Sequence, residues 1–501
     1  MKLLKLILML IIAMGLIVGN SNAQTQEKPA VISMPGPSVG VAWGFSYGVD
    51  GPPEIFLPQL AKMNVHLTKL YLFWQQIEPS KRQYNWGAVD TFLMQLTPPD
   101  EALISVFSSS SWATKISSLP IPASMAKSPD EYYKFIYDLV KHCKGKIKLW
   151  QNDCEPNNPV YWNGTSEEFS SQLKVFYRAV KDADAKAEVV MGGYDGLFNP
   201  PGMPEIPGQR NGLAFFSKAI KAAADYFDIF DIRLYANPYT ISARVEYFRK
   251  ELADSAHSQP IICTEYNGPG FFGFPVNFKY VGQVMEWQRV VATHDTVAYA
   301  KMKNPIANMY DSINKLAPQT QMFMIGCTKE LNDKYDRLQC RDIVMRNVLA
   351  FSAGIQKTMY WCLFNNTDNK YDLMTLMFGK NKLLEYSKGK VVKEYPEVPV
   401  FKRIVDYLDD AKTIKRIDVP GKEMLYLFEI SGTKNNVKYV AWEKRDAFSG
   451  EDQPSTNYVL PLSSNGVKAT DIFGKKIDAK KSSGYVEINL SDTPVFIQVK
   501  K

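Results

Sequence analysis

Between Val39 and Asn366 the chain passes repeatedly from a short β-rich run, through a loop rich in glycine, proline or asparagine, into an amphipathic helical stretch. That alternation predicts a parallel sheet covered by helices. Eight strands are expected: Val39 to Phe45, His66 to Phe73, Ala102 to Phe107, Lys146 to Asn152, Glu188 to Gly193, Phe230 to Tyr235, Pro260 to Glu265 and Thr358 to Phe364. Helices fall between them, for example over Pro129 to His142, Ser166 to Asp182 and Gly212 to Tyr226. Eight such units close most economically as an α/β fold of the (β/α)8 TIM barrel kind. An open doubly wound sheet is the rival. It is disfavoured because no Gly-rich fingerprint follows the first strand and no P-loop occurs.

The stretch from Gly268 to Lys357 is too long for one βα loop and one helix. Arg341 to Gly354 reads as the seventh helix, which leaves an insertion around 271–336 on the face where barrels build their sites. Its start, Gly268-Pro269-Gly270-Phe271-Phe272-Gly273-Phe274, suits either aromatic walls for a cleft or a packing turn. A last helix, Val398 to Ala411, is followed by period-two runs: Met424 to Glu429, Val437 to Glu443, Asn457 to Leu462, Tyr485 to Leu490 and Pro494 to Lys500. These predict a C-terminal antiparallel β-sandwich domain. The expected organisation is therefore a signal peptide over 1–23, a barrel over 24–411 and a sandwich over 412–501.

The first segment is read from Lys2 and Lys5, the apolar stretch Leu6 to Val18, and the small-residue site Ser21-Asn22-Ala23 before Gln24. This is the pattern of a cleavable export signal, so the mature chain is expected to be secreted or periplasmic. No later stretch approaches the roughly 20 apolar residues of a membrane span. The charge of +7 arises from 59 basic and 52 acidic residues spread along the chain, a solvated surface and not a nucleic-acid footprint. Six cysteines are too sparse for a disulfide framework, although Cys327 and Cys340 could pair. Four scattered histidines without metal-ligand spacing argue against a catalytic metal, and no cofactor is expected. Oligomeric state is not encoded in any visible pattern.

Four strand ends carry the chemistry. Strand two ends in Phe73-Trp74-Gln75-Gln76-Ile77-Glu78-Pro79 and continues to Tyr84-Asn85-Trp86; strand four ends in Asn152-Asp153-Cys154-Glu155-Pro156-Asn157. Strand seven ends in Cys263-Thr264-Glu265-Tyr266, and strand eight holds Tyr360-Trp361. Cleavage of a glycosidic bond needs one carboxylic acid to protonate the leaving oxygen and one carboxylate to attack the anomeric carbon. Strands four and seven face each other across a barrel, so Glu155 and Glu265 can approach the retaining separation of about 5–5.5 Å. At that distance an ionised Glu265 would keep Glu155 protonated.

On these motifs the chain resembles clan A glycoside hydrolases, most closely family 39, over nearly the whole mature length. Trp74 with Ile77-Glu78-Pro79, Glu155-Pro156-Asn157 with Tyr161-Trp162, Thr264-Glu265, Gly192-Gly193 and Trp361 carry the resemblance. It implies a carbohydrate substrate, Glu155 as general acid/base, Glu265 as nucleophile and Trp361 as a platform under the sugar. Trp361 and Trp74 could also be core aromatics, with stacking under the sugar the leading reading for Trp361. Two positions depart from the family. Cys154 stands where an asparagine usually bonds the sugar 2-hydroxyl, and Asn152 could compensate only if its strand bulges. Arg233 stands where a histidine is usual, with Tyr235 on the same strand face. Arg233 needs an anion, either Asp231, Asp153 or Glu265, or an acidic substrate. Polysaccharide or oligosaccharide hydrolysis leads; a catalytically silent sugar-binding protein and a transglycosylase are the alternatives.

Overall fold

The computed structural model describes residues 37–42, 56–117, 119–195, 209–235, 237–292, 296–364, 369–432, 437–463 and 466–500. The expected signal peptide and the end of the first strand, Trp43 to Phe45, lie outside them. Eight strands form one parallel sheet: β1 (Ser38–Ala42), β2 (Leu67–Phe73), β3 (Glu101–Phe107), β4 (Leu149–Asn152), β5 (Glu188–Met191), β6 (Phe230–Asp231), β7 (Ile261–Tyr266) and β8 (Lys357–Trp361). Their order is β5-β4-β3-β2-β1-β8-β7-β6, and bridges from Val190 to Ile229 and Tyr194 to Ile232 join the two ends. The chain is a (β/α)8 barrel.

The helices follow from local chemistry. Pro129–His142 begins at Ser128, whose side chain accepts from the Glu131 amide, and has proline in its first turn. It turns Tyr132, Phe135, Ile136, Leu139 and Val140 inward at helical spacing. Ser166–Ala183 opens with a capping box between Thr165 and Glu168. Burying an apolar side chain of this kind contributes about 1.5–3 kcal/mol.

The seventh helix differs from its expectation: it is Lys329–Ser352, starting well before Arg341. Its first turns, Lys329-Glu330-Leu331-Asn332-Asp333-Lys334, are too polar to read as a packed helix. Thr328 caps it, and its charges are neutralised by the C-terminal region, with Arg337 and Arg341 both on Glu451 at 2.8 Å. The insertion before it is helical, and Phe271 and Phe274 are buried with Val284, Met322, Phe323 and Tyr335. The Gly268 to Phe274 run is thus a packing turn. All six cysteines are free: Cys340 is buried in the helix, while Cys327 Sγ accepts from Lys380 Nζ at 3.4 Å, so the possible pair does not form.

After the helix Glu397–Leu408 the chain is antiparallel. A hairpin precedes it, β9 (Leu384–Ser387) with β10 (Lys390–Glu394). Beyond it lie β11 (Ala411–Arg416), β12 (Leu425–Gly432), β13 (Val437–Glu443), β14 (Thr456–Leu460), β15 (Gly466–Asp471), β16 (Lys476–Ile477), β17 (Ala479–Ser482), β18 (Tyr485–Leu490) and β19 (Val495–Lys500). They form a six-stranded sheet, β11-β12-β13-β19-β15-β16, and a three-stranded sheet, β14-β18-β17. Leu427, Ala441, Leu460, Val486, Ile488 and Ile497 fill the space between them. The opposite face of the larger sheet, with Tyr426, Phe428 and Trp442, belongs to the barrel's own core. β11, β15, β16 and β17 were not anticipated, because they are short and exposed lysines interrupt their alternation.

Candidate active site

Period-two geometry sorts the barrel interior into layers. Leu67, Leu103, Leu149, Val190, Ile229, Ile262 and Met359 make one apolar floor. Two residues further along the same strands come Lys69, Ser105, Gln151, Asp231 and Thr264, with Arg233 two beyond Asp231, and every one is fully buried. Polar groups so placed must satisfy one another. Gln151 donates to Asp231 at 2.6 Å, the Thr264 amide and hydroxyl to Asp231 at 2.9 and 2.6 Å, and Lys69 Nζ to Thr264 Oγ1 at 2.9 Å.

Two backbone irregularities aim the glutamates. Beyond β4, Asp153 takes a left-handed conformation at φ 56°, held by the Ser108 amide and hydroxyl on its carboxylate at 2.8 Å. This turns Glu155 into the mouth. On β7 the pairing with β8 slips between Cys263 and Tyr266, a bulge that lets Glu265 face inward beside Thr264. An oxygen of each carboxylate and Cys154 Sγ lie within 4.8 Å of one another.

The environments of the two acids are opposite. Glu265 Oε1 accepts from Lys69 Nζ at 2.8 Å, Tyr71 Oη at 2.5 Å and Cys154 Sγ at 3.4 Å, with Arg233 Nη2 at 3.2 Å. Its Oε2 accepts from Tyr235 Oη at 2.6 Å, the one hydrogen bond to that oxygen among the described residues. Burial alone would raise this carboxyl, but Arg233 and Lys69 outweigh it and hold it well below the usual carboxylate range. Among the described residues Glu155 meets Asn158 Nδ2 at 3.4 Å and Arg233 Nε at 3.4 Å. Burial, and behind it the charge of Glu265, push it well above that range despite Arg233. Burial and Glu265 also raise the Cys154 thiol, so it stays protonated.

Arg233 is the hub. Its Nη1 pairs with Asp231 and donates to Thr264 Oγ1, and its Nη2 donates to the Cys154 carbonyl at 3.1 Å. The anion it needs is internal, mainly Asp231 and Glu265; Asp153 instead serves Ser108 and Gln172. Arg233 is thus paired inside the protein through Nη1 and Nη2, which is the internal arrangement of the two that were expected. Tyr235 is placed at the site by its bond to Glu265. Trp361, at the end of β8, packs edge-on to Phe378 at 5.3 Å, which in turn lies 5.5 Å from the Tyr235 ring.

Two expected sugar contacts are elsewhere. Trp74 is fully buried, stacked on Phe135 at 5.0 Å with its Nε1 donating to Glu78 at 2.8 Å, so no ring face is left for a sugar. Asn152 points out to the helix layer, donating to Tyr132 at 3.0 Å, because β4 keeps regular register and the bulge falls on β7 instead. Lys69 and Tyr71 escaped sequence reasoning, although a lysine two residues before a tyrosine in the otherwise apolar Leu67–Phe73 was a visible signal. Cys154, Glu155 and Glu265 are the one trio with metal-ligand spacing among the described residues, and the two cations against Glu265 oppose a metal ion there.

No protein-family model and no curated protein sequence matches the chain. Solved structures do. One is a family 39 glycoside hydrolase from the gut symbiont Bacteroides cellulosilyticus WH2, at TM-score 0.61 and 15% identity, covering 93% of this chain and 81% of that one. A family 51 α-L-arabinofuranosidase from Bifidobacterium longum matches at TM-score 0.57 and 11% identity over 96% and 100% of the two chains. A family 39 β-xylosidase from Caulobacter crescentus matches at TM-score 0.55 and 11% identity over 94% and 98%. The chain thus has the fold of clan A glycoside hydrolases, as the four strand-end motifs led one to expect.

Proposed function

We propose that this protein is a retaining glycoside hydrolase acting on a neutral sugar, with Glu265 as nucleophile and Glu155 as general acid/base. The observation that carries the proposal is the pair itself: two buried carboxyls with oxygens within 4.8 Å, one held ionised by Lys69 and Arg233, the other held protonated by burial. A double displacement needs that division of protons at the start.

Glu265 Oε1 is occupied by its donors, so Oε2 is the oxygen that attacks the anomeric carbon. As the ester forms, the leaving oxygen takes the Glu155 proton. Glycosylation removes the Glu265 charge, which lowers the proton affinity of Glu155 and prepares it to deprotonate the incoming water. A neutral sugar is favoured because the Lys69 and Arg233 charges are answered by Glu265 and Asp231 inside the protein. The exported location follows from the N-terminal pattern of lysines, apolar core and small-residue site. The neighbours' named pentosides make β-xylosides and α-L-arabinofuranosides the first substrates to try, within a broader aryl glycoside panel. Proton NMR of the first-formed product should show the anomeric configuration of the substrate. Binding without turnover across the panel would instead support a silent sugar-binding protein.

A further inference from the structure

Arg233 is the single described side chain whose charge touches both glutamates. Its contacts are unequal. Nη1 and Nη2 are anchored by Asp231, Thr264 and the Cys154 carbonyl, whereas the buried Nε–H has no hydrogen-bond acceptor although it stands 3.4 Å from Glu155 Oε1. A buried donor left unmade is destabilising, and at a site between two carboxyls it calls for a reason. Lys69 offers a contrast, since it reaches Glu265 and Thr264 and makes no contact with Glu155.

We propose that Arg233 is a positioning residue that transfers its support from Glu265 to Glu155 during turnover, its Nε–H being taken up by Glu155 once Glu265 carries the sugar. The inference rests on the retaining reading above. In the free enzyme the guanidinium stabilises ionised Glu265 and leaves Glu155 protonated with Nε idle. When Glu265 becomes an ester, its charge is gone and Glu155 has given up its proton, so the buried guanidinium has a new anion beside the idle donor. In the second step the water oxygen bonds to the anomeric carbon, the water proton passes to Glu155, and the ester electron pair returns to Glu265. The guanidinium swings its support back without leaving Asp231. The site keeps the same net charge at each stage.

Arg233→Lys tests this, because it retains a cation for Asp231 and loses the Nε donor. An activated aryl glycoside needs no acid, so its first step reports on Glu265 and its second on Glu155 as base. Because the variant also loses the Nη2 contact with Glu265, the expected result is a pre-steady-state burst slowed only modestly, followed by turnover roughly tenfold slower, matching loss of about one charged hydrogen bond. Without Nε, ionised Glu155 is less supported in the intermediate, so turnover should recover as pH rises, and the acid limb of kcat should move to higher pH. Lys69→Met should move that limb of the second step by a smaller amount, because Lys69 bonds Glu265 and Thr264 and makes no hydrogen bond to Glu155. The proposal is overturned if Arg233→Lys slows the burst and the turnover equally at every pH, or changes neither. An unfolding midpoint close to wild type excludes gross misfolding, and Arg233→Gln serves if the lysine variant is unstable. If the wild-type enzyme itself shows no covalent intermediate, it is the retaining reading that fails.

Discussion

Lys69→Met isolates one of the fully buried charges in the site. Lys69 is fully buried, and Nζ makes two bonds, to Glu265 at 2.8 Å and Thr264 at 2.9 Å. Methionine keeps most of the volume and removes both bonds, leaving Glu265 with Arg233 as its remaining cation. Loss of one partner from a buried ion pair costs about 3–5 kcal/mol, and the better burial of a thioether recovers part of it, so a net loss of about 2–4 kcal/mol is expected near neutral pH. Glu265 has its carboxyl depressed in the folded protein. The pair therefore contributes fully above the unfolded-state value of about 4.3 and loses its contribution as pH falls through the lower folded value. Wild type and variant should differ most at neutral pH and converge in acid, as read from urea midpoints at several pH values. The acid limb of kcat/KM should move upward in the variant, because Glu265 then protonates more readily. A stability loss that is the same at neutral and acid pH, with an unmoved limb, would show that the ion pair is not what Lys69 contributes.

Glu155→Ala should abolish turnover of substrates with poor leaving groups while sparing the first step on activated aryl glycosides; added azide should restore turnover and yield a glycosyl azide, detectable by mass spectrometry. Burial and Glu265 push the Glu155 carboxyl up to about 8, and in the proposed mechanism its protonated form is the acid. Cleavage of poor leaving groups should therefore fall as pH rises through that region, whereas activated glycosides should not show that alkaline limb in kcat/KM. Tyr235→Phe removes the hydrogen bond to Glu265 Oε2, the attacking oxygen, and should lower kcat by about tenfold with a smaller change in KM. An unchanged kcat would mean that Tyr235 does not orient the nucleophile.

Much of this was legible in the residues. Parallel strands buried on both faces leave near-continuous apolar runs, so β2, β3 and β7 were visible with errors of a residue or so. Glu155 and Glu265 could be singled out as candidates because chemistry at a barrel mouth gathers at or just beyond the strand ends. Their orienting devices could not: the left-handed Asp153 and the β7 bulge depend on tertiary contacts with Ser108 and with β8. β6 is regular only over Phe230–Asp231, although the Ile232 and Leu234 amides still donate to the Ile262 and Glu265 carbonyls at 3.0 and 3.1 Å. The same local view misplaced Trp74 and Asn152, whose motifs look like sugar contacts but which pack against Phe135 and Tyr132 of the helix Pro129–His142, partners distant from Trp74 in sequence and hidden in the helix layer. Polarity misled at the seventh helix, where charges that resemble a loop are buried against Glu451.

The central claim is that Glu265 forms a bond to the sugar. A 2-fluoro glycoside of an accepted sugar, carrying a good leaving group, slows both steps and is rescued only in the first, so the intermediate accumulates. Mass spectrometry of the digested, inactivated protein should find the fluoroglycosyl group on the peptide containing Cys263-Thr264-Glu265-Tyr266, at Glu265. An adduct on Glu155 or any other carboxyl, or rapid turnover with inverted product and no adduct, would contradict the account.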